Sequence, residues 1–266
     1  MTKKLNRYAS LIVHLFKAKY RAGSTRVPFA REELVDGARR LGIALPKNIG
    51  DVIYSQRYRA ELPDEIAKTA SAGKTWIILG VGIAKYEFRL LQLAQIAPNA
   101  NMATIKIPDA TPQIVANYAQ TDEQALLAKV RYNRLIDIFL GIATFSLQNH
   151  LRTTVEGIGQ VELDEVYVGV DKAGQQYVVP VQAKGGSDKH SAVQTLQDIA
   201  CCAEKFPKLI CRPISAQFAT DDVIAIFELT EDGDSVKILE EKHYKLVPSK
   251  DITDQDLASY RKRSRS

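Results

Sequence analysis

Residues 161–184 of this 266-residue chain read VELDEVYVGVDKAGQQYVVPVQAK. β-Branched and aromatic residues dominate Glu162–Val170 and Gln176–Val181, which is the composition of strands. Between these two segments, Asp171-Lys172-Ala173-Gly174 has the composition of a turn. The stretch therefore predicts a β-hairpin.

Acidic, amide and lysine side chains occur at matching ends of the two predicted strands. Because strand side chains alternate between faces, Glu162 and Asp164 should share one face of the first strand, and Gln182 and Lys184 one face of the second. Carboxylate and amide oxygens suit Mg²⁺, which proteins usually hold with few carboxylates, water and substrate phosphate. A nearby lysine can activate a metal-bound water and offset the charge on a phosphate under attack. The hairpin therefore predicts a metal-dependent site for phosphodiester hydrolysis.

The second predicted strand has the character of a buried strand. Val178-Val179-Pro180-Val181 is too apolar for an edge that faces water, and it ends abruptly in Gln-Ala-Lys-Gly-Gly. This pattern is typical of a strand that delivers polar groups to a cleft. A solvated hairpin with cross-strand pairs of acids and lysines is the alternative interpretation of the same residues.

The order of these features resembles the PD-(D/E)XK nuclease superfamily, in particular the type II restriction endonucleases. The resemblance covers roughly the second half of the chain and includes the hairpin, the Gln-Ala-Lys tripeptide and the helix-like segment Ser187–Phe206. It implies that Asp164 binds the metal, that Gln182 occupies the variable acidic position and that Lys184 is the catalytic lysine. The chain departs from the common pattern because Gln182 is an amide and because no proline precedes Asp164.

A further acid should compensate for the missing carboxylate at Gln182. Strand parity favours Glu162, which would join Asp164 and Gln182 as a metal ligand and take part in catalysis. Glu165 and Glu156 are alternatives, the latter because many members of the family take an acid from the element before the hairpin.

The resemblance implies Mg²⁺-dependent hydrolysis of double-stranded DNA, with products that carry 5′-phosphate ends. Cleavage of both strands at a symmetric site would suit a homodimer, because a two-fold axis in the protein can match a palindrome. A structure-directed or damage-directed repair nuclease would use the same residues. The non-enzymatic alternative is a winged-helix DNA-binding regulator with a degenerate nuclease fold.

Helical patterns fill the beginning of the chain. Apolar residues at helical spacing predict helices over Leu5–Lys19 and Arg31–Leu41, the second of which ends at Gly42. Pro46 begins a third predicted helix, which continues to Arg59. Two helices joined by a short glycine-containing turn, the second rich in Lys, Asn, Gln and Arg, suit a helix-turn-helix.

Residues 74–82 and 85–90 then predict two strands around a glycine-containing turn. The whole order resembles a winged helix, and residues 46–54 resemble the recognition-helix segment of restriction-type endonucleases. Amide and guanidinium groups can pair with base edges, and lysines can contact phosphates. The candidate DNA-binding residues are Asn48, Gln56, Arg57 and Arg59 for bases, and Lys47, Lys74 and Lys85 for phosphates.

Positive charge is concentrated at the two ends of the chain. Residues 1–60 carry thirteen basic and four acidic side chains, a net charge of +9 within an overall +5. The segment Tyr260–Ser266 adds four basic side chains and no acid. Because phosphate neutralisation supplies most nonspecific DNA affinity, this distribution favours DNA as the partner.

Composition also suggests how the chain is divided. Residues 97–121 contain three prolines and several Asn, Thr and Asp residues, which predicts a linker or arm. We therefore expect an α+β protein with a winged-helix-like DNA-binding domain at 1–96. A restriction-endonuclease-like α/β core with a central mixed sheet and a basic tail would occupy 122–266, and a helix over 121–139 would lie against that sheet.

Two predicted helices of the second half carry further polar side chains. Gln194 and Gln197 are expected at the protein surface. The side chains that could face DNA phosphate are Arg131, Asn133, Arg134, His150 and Arg152.

Other functional classes lack their motifs. Residues 72–75 resemble part of a phosphate-binding loop but lack its first glycine, and residues 80–85 lack the third glycine of a dinucleotide fingerprint, so no nucleotide cofactor is expected. The four histidines and three cysteines lack metal-ligand spacing. No apolar run reaches the length of a membrane span and no signal-like segment is seen, so we expect a cytoplasmic protein with no membrane partner.

Overall fold

The computed structural model describes residues 7–47, 49–50, 52–53, 62–92, 95–118, 123–185, 190–219, 222–233 and 235–263. These residues form a small three-stranded sheet in the first part of the chain and a large mixed sheet in the rest. The chain is therefore a mixed α+β protein, which confirms the predicted class.

The N-terminal region contains both helices and strands. Its elements are α1 (Arg7–Lys19), β1 (Arg26–Ala30), α2 (Arg31–Leu41), α3 (Asp64–Ala67), β2 (Thr75–Gly82) and β3 (Lys85–Leu91). The three strands form an antiparallel sheet in the order β1-β3-β2. The helical and strand patterns correctly predicted α1, α2, β2 and β3, and Gly42 ends α2 in the left-handed conformation. They missed β1, an edge strand that contains Pro28.

An aromatic core holds this region together. Phe16 is buried on α1 and meets Trp76 of β2 and Phe88 of β3 edge to face, with ring centroids 5.1 and 5.0 Å apart. Leu11 and Ile12 of α1 lie in the same cluster. The packing fixes the β2–β3 hairpin against α1, which leaves the turn of the hairpin at the surface.

The second part of the chain contributes the larger sheet. Its strands, together with one short flanking pair, are β4 (Gln95–Ile96), β5 (Thr104–Pro108), β6 (Ala143–Val155), β7 (Gly159–Val170), β8 (Gln176–Lys184), β9 (His190–Ser191), β10 (Ile210–Cys211), β11 (Ile214–Phe218), β12 (Val223–Asp232) and β13 (Ser235–Val247). Its helices are α4 (Gln113–Tyr118), α5 (Glu123–Tyr132), α6 (Leu135–Leu140), α7 (Ala192–Lys205) and α8 (Asp254–Arg263), with a 3₁₀ turn at Ser249–Asp251.

The strands of the large sheet lie in the order β5-β13-β12-β11-β8-β7-β6, and β10 also pairs with β8. β6, β7 and β8 form an antiparallel meander. After the crossover through α7, β11 runs parallel to β8. Parallel and antiparallel pairs therefore share one sheet, which confirms the predicted mixed sheet.

Helices cover both faces of this sheet. On one face, α5 and α6 bury Leu126 and Leu135 against Val181 of β8. On the other face, α7 buries Cys201 and Cys202 against Leu163 of β7 and Val178 of β8. The hairpin of β7 and β8 is therefore the buried centre of a three-layer arrangement, which agrees with its apolar composition.

The two sheets are joined by direct contacts. β4 pairs with β9 in antiparallel register. Leu91 of β3 and Ile96 of β4 belong to one apolar cluster with Ala192 of α7 and Phe227 of β12. The N-terminal region therefore contacts the large sheet beside the start of α7.

The segment 97–121, predicted as a linker or arm, contains regular secondary structure. Its described part includes α4 and β5, and β5 runs parallel to β13 at the edge of the large sheet. The backbone N–H of Lys106 donates to Oη of Tyr260 on α8 at 2.9 Å, and the Lys106 ammonium lies 3.0 Å from an Asp256 carboxylate oxygen. The proline-rich composition reflects a short edge strand that ends at Pro108, not a linker.

Two predicted helix boundaries also differ. The helix expected over 121–139 is divided into α5 and α6, because Arg134 between them is left-handed, with φ of 49°. The helix expected from Ser187 begins at Ala192, with Ser191 as its N-cap. Of the third N-terminal helix, Gly50 and residues 52–53 are helical, and most of the remainder lies outside the described residues. None of the helices within the described ranges is long and apolar enough to cross a membrane.

The core on the α5 face should dominate stability. Leu126 is fully buried, so Leu126→Ala removes buried methyl groups and leaves a cavity, and we expect it to lower the free energy of unfolding by about 2–5 kcal/mol. Leu257→Ala on α8, where the leucine is 42% exposed, is the matched control and should change it by less than about 1 kcal/mol. Urea denaturation followed by circular dichroism measures both, and equal effects would contradict this assignment of the core.

Candidate active site

β7 and β8 separate beside the acid and the lysine that the sequence singles out. Their backbone pairing ends at Glu165 opposite Val181. Beyond that point, the N–H of Ala183 donates to Oδ2 of Asp164 at 2.8 Å. A side-chain oxygen thus takes the place of a strand carbonyl, and Asp164 lies where the two strands part.

The regular alternation of side chains is interrupted at Asp164. Leu163 and Val166 lie in the same apolar cluster against α7, although residues three apart in a regular strand point to opposite faces. Glu165 instead contacts α5 on the other face of the sheet. The alternation of side chains between faces therefore cannot be continued through Asp164. The sequence argument that placed Glu162 on the same face as Asp164 no longer holds.

Charged neighbours surround the Asp164 carboxyl. Burial raises the pKa of this carboxyl above its ordinary value of 3.8. The charges of Lys184 and His150 and the N–H of Ala183 act in the opposite direction, whereas the charge of Glu123 raises the pKa further. The Ala183 contact therefore places the backbone beside Lys184 against Asp164, and the charge of Lys184 acts on this carboxyl.

Gln182 is buried between β7 and α7, with 1% of its surface exposed. Its Nε2 donates to the backbone carbonyl of Glu162 and to Oδ1 of Asp198, both at 3.1 Å. Its Oε1 accepts a long bond of 3.5 Å from Gln194. Both amide hydrogens are therefore engaged with the protein, and Oε1 is the atom that remains for a ligand.

Asp198 lies beneath this amide on α7 and is itself buried. Burial raises the pKa of the Asp198 carboxyl well above 3.8, while the hydrogen bond from Gln182 acts against the rise. Sequence patterns gave no reason to select Asp198, because it is one polar residue on an otherwise ordinary amphipathic helix. Only the packing of α7 on the sheet brings it to the site.

Glu162 projects into a different environment from the one predicted. Its carboxylate oxygens accept from Nε and Nη2 of Arg152, with distances from 2.9 to 3.2 Å. His150 Nδ1 lies 3.8 Å from the same carboxylate, and His150 Nε2 lies 3.1 Å from Nε2 of Gln124. The Glu162 side chain is thus engaged with Arg152 at the surface, and its backbone carbonyl, rather than its carboxylate, contacts Gln182.

The other acids considered for the site lie elsewhere. Glu165 is fully buried on the α5 face, where it accepts from Nε of Arg131 at 2.8 Å and from Oγ of Ser146 at 2.6 Å. Glu156 lies in the turn that joins β6 to β7.

The available oxygens fit Mg²⁺. Among the described residues, no group of three His, Cys, Asp or Glu side chains is arranged to hold a metal ion. A hard cation that keeps several waters needs only one or two protein carboxylates and is completed by substrate phosphate. Asp164 and Oε1 of Gln182 offer oxygens of this kind.

The predicted DNA-binding residues are only partly described. Lys47, Lys74 and Lys85 are exposed, and Lys85 begins β3 directly after the β2–β3 turn. The predicted base-reading residues Asn48, Gln56, Arg57 and Arg59 lie outside the described residues.

Several helix residues have internal roles that the sequence did not predict. Arg131 pairs with buried Glu165. Asn133 is buried, and its side chain bonds the N–H of Ala110 and Oγ1 of Thr111. Gln197 is buried rather than exposed. Gln194, only partly exposed, bonds Gln182. These side chains looked solvated because helix periodicity alone does not show which polar residues a neighbouring loop or strand covers.

Comparisons of the chain with protein-family models, with curated proteins and with solved structures find no match.

The charge of Asp164 should cost stability. Because the pKa of Asp164 is raised, the folded protein binds this proton more tightly than the unfolded chain, and stability falls as pH rises through the window above 3.8. Asp164→Asn removes this cost, so we expect a higher Tm than wild type at neutral pH. The difference should shrink as pH falls below 3.8, where both states are protonated.

Asp171→Asn in the β7–β8 turn is a control for which we expect the opposite change in Tm at neutral pH. The hydrogen bond from Tyr177 lowers the pKa of Asp171, so ionisation there stabilises the fold. Thermal melts across pH should therefore show a lower Tm for Asp171→Asn at neutral pH and no difference in acid. A lower Tm for Asp164→Asn at neutral pH would contradict the predicted cost.

Proposed function

We propose that this protein is a Mg²⁺-dependent endonuclease that hydrolyses phosphodiester bonds of double-stranded DNA, like the type II restriction endonucleases. The observation that carries the proposal is the hydrogen bond to the Asp164 carboxylate from Ala183, the residue before Lys184, at the point where β7 and β8 separate. A partly buried acid beside a lysine suits a site that binds a cation and a phosphate.

The roles of the side chains follow from their positions. Asp164 and the amide oxygen of Gln182 would hold Mg²⁺, with Glu123 as the supporting acid in place of Glu162. When bound, the ion neutralises phosphate charge and lowers the pKa of a coordinated water. Lys184 orients the attacking water and stabilises the negative charge of the transition state. Water attacks phosphorus, the bond to the 3′ oxygen breaks, and the product keeps a 5′ phosphate.

The arrangement of the second half supports this proposal. The β7–β8 hairpin, which carries Asp164 and Lys184, lies in one mixed sheet, and helix α7 follows it in the chain. This is the combination that the resemblance to the PD-(D/E)XK nucleases implies. The solvated-hairpin alternative is less suitable, because β8 is buried on both faces and Gln182 is enclosed.

The N-terminal region supports DNA as the substrate. Among the described residues, α1, β1, α2 and the short α3 are followed by the β2–β3 hairpin, and the three strands form one antiparallel sheet. This order suits a winged helix, in which the β2–β3 turn would be the wing. Exposed Lys85 lies at this turn, in the region whose first 60 residues carry a net charge of +9. Lys47 and Lys74 are the other proposed phosphate contacts.

Recognition of a symmetric DNA site by a homodimer completes the proposal. Two copies related by a two-fold axis would present one active site to each DNA strand. The proposal keeps the cytoplasmic location predicted from sequence.

Cleavage of supercoiled plasmid in Mg²⁺ is the direct test. We expect discrete linear fragments with 5′-phosphate ends from the wild type. Lys184→Ala and Asp164→Ala should lower the rate by about 100-fold or more, because each removes a group that acts on the transition state. End labelling and gel electrophoresis measure both the rate and the ends.

Lys172→Ala provides a matched control, because Lys172 is exposed in the turn of the same hairpin. It should cleave at the wild-type rate. Nicking limited to damaged or branched DNA would favour a repair nuclease, and tight DNA binding without cleavage would favour a regulator. Lys184→Ala that cuts as fast as wild type would show that the active site lies elsewhere.

The proposed wing makes a separate prediction about binding. Lys85→Ala removes one phosphate contact, so we expect weaker DNA binding at all sequences and a salt slope smaller by about one. Lys237→Ala, at an exposed position on β13, is the control and should bind like wild type. Fluorescence anisotropy in Ca²⁺ over a salt series measures the slope. An unchanged slope for Lys85→Ala would remove this turn from the DNA interface.

A further inference from the structure

The amide at position 182, the main departure from the family pattern, has a partner on α7. Nε2 of Gln182 donates to Oδ1 of Asp198 at 3.1 Å, and both side chains are at least 98% buried. The same nitrogen donates to the backbone carbonyl of Glu162 at 3.1 Å. A carboxyl and an amide thus face each other where β7, β8 and α7 meet.

These contacts determine the orientation of the amide. A backbone carbonyl can only accept, so the nitrogen of Gln182, not its oxygen, must face Glu162. Asp198 Oδ1 accepts the second hydrogen. With both hydrogens directed to the interior, Oε1 is turned toward Gln194, which donates to it only weakly, at 3.5 Å.

A carboxylate at position 182 would not suit this environment. A glutamate side chain there would place an acceptor against the carbonyl of Glu162, and its negative charge against the Asp198 carboxyl, at an almost fully buried position. The presence of Asp198 therefore explains why an amide occupies the position at which the family pattern has an acid.

We propose that Asp198 is a positioning residue that holds the Gln182 amide by Nε2 and so presents Oε1 as a metal ligand. This inference rests on the metal site of the proposed function. Residues 182 and 198 then act as a pair, in which the side chain on α7 accepts a hydrogen bond and the side chain on β8 donates it. Without the Asp198 acceptor, the Gln182 amide can rotate. Its Nε2 can then occupy the position from which Oε1 would bind the metal. Outer contacts of this kind typically change metal affinity by about 10- to 100-fold.

Mn²⁺ affinity in the absence of DNA tests the positioning role, with electron paramagnetic resonance as the readout. Asp198→Leu removes the acceptor, and we expect it to weaken Mn²⁺ binding by about tenfold or more. Asp198→Asn retains an acceptor oxygen and should stay within about threefold of wild type, as a conservative rescue. Thr195→Val is the matched control, because it removes a different buried hydrogen bond of α7, the one to His190, and should leave affinity unchanged.

A stability cycle in metal-free buffer tests the pair without any ligand. Gln182→Glu should lower Tm, because it places a second acid against Asp198. The double variant Gln182→Glu/Asp198→Asn exchanges carboxyl and amide, so we expect it to recover part of the loss, since the new amide can donate to the new carboxylate. This cycle remains informative if Asp198→Leu fails to fold.

The outcomes separate the two proposals. Wild-type protein that binds no Mn²⁺ would overturn the metal site and the positioning role with it. Wild-type binding that Asp198→Leu leaves unchanged would overturn the positioning role alone. A double variant no more stable than Gln182→Glu would show that residues 182 and 198 do not act as a pair.

Discussion

The separation of β7 from β8 is the constraint on which the rest of the site depends. Beyond Glu165 the two strands no longer exchange backbone hydrogen bonds, yet their polar groups remain inside the protein. Side chains satisfy them: Asp164 accepts the N–H of Ala183, and Gln182 donates to the carbonyl of Glu162. Because an unpaired buried backbone group is costly, the strands can part only where such side chains are available. The proposed ligands are therefore also the residues that stabilise the opening.

A half-buried ion pair on the opposite face holds α5, the helix that begins at Glu123. Arg131 of α5 contacts Glu165, which also accepts from Ser146 of β6. Removing one partner of a buried ion pair leaves an uncompensated charge, so α5 cannot shift without cost. The neighbouring acids of β7 thus have different roles. Asp164 faces the proposed site, and Glu165 holds α5 on the other face of the sheet. The interruption of alternation at Asp164 makes this division possible.

Local patterns predicted much of the secondary structure but less of the site. The hairpin Glu162–Val170 and Gln176–Val181 was correctly placed, because its strands and turn have distinct compositions. The N-terminal helices and the β2–β3 hairpin were correct for the same reason. β5 was read as a linker because prolines and polar residues also suit a short edge strand. Glu162 was favoured by parity, which assumes a regular strand and fails where the strand is irregular.

Periodicity and composition were sufficient to predict most helices and strands. They were also sufficient to select Asp164 and Lys184 as a pair worth testing. Both signals depend on residues that are near neighbours in the chain. The identity of the remaining partners depended on the tertiary structure. Gln194 and Asp198 reach Gln182 from α7, and Arg131 of α5 reaches Glu165 from the opposite face of the sheet. No spacing in the sequence records those contacts, because they arise from how helices pack on a sheet whose central strands part.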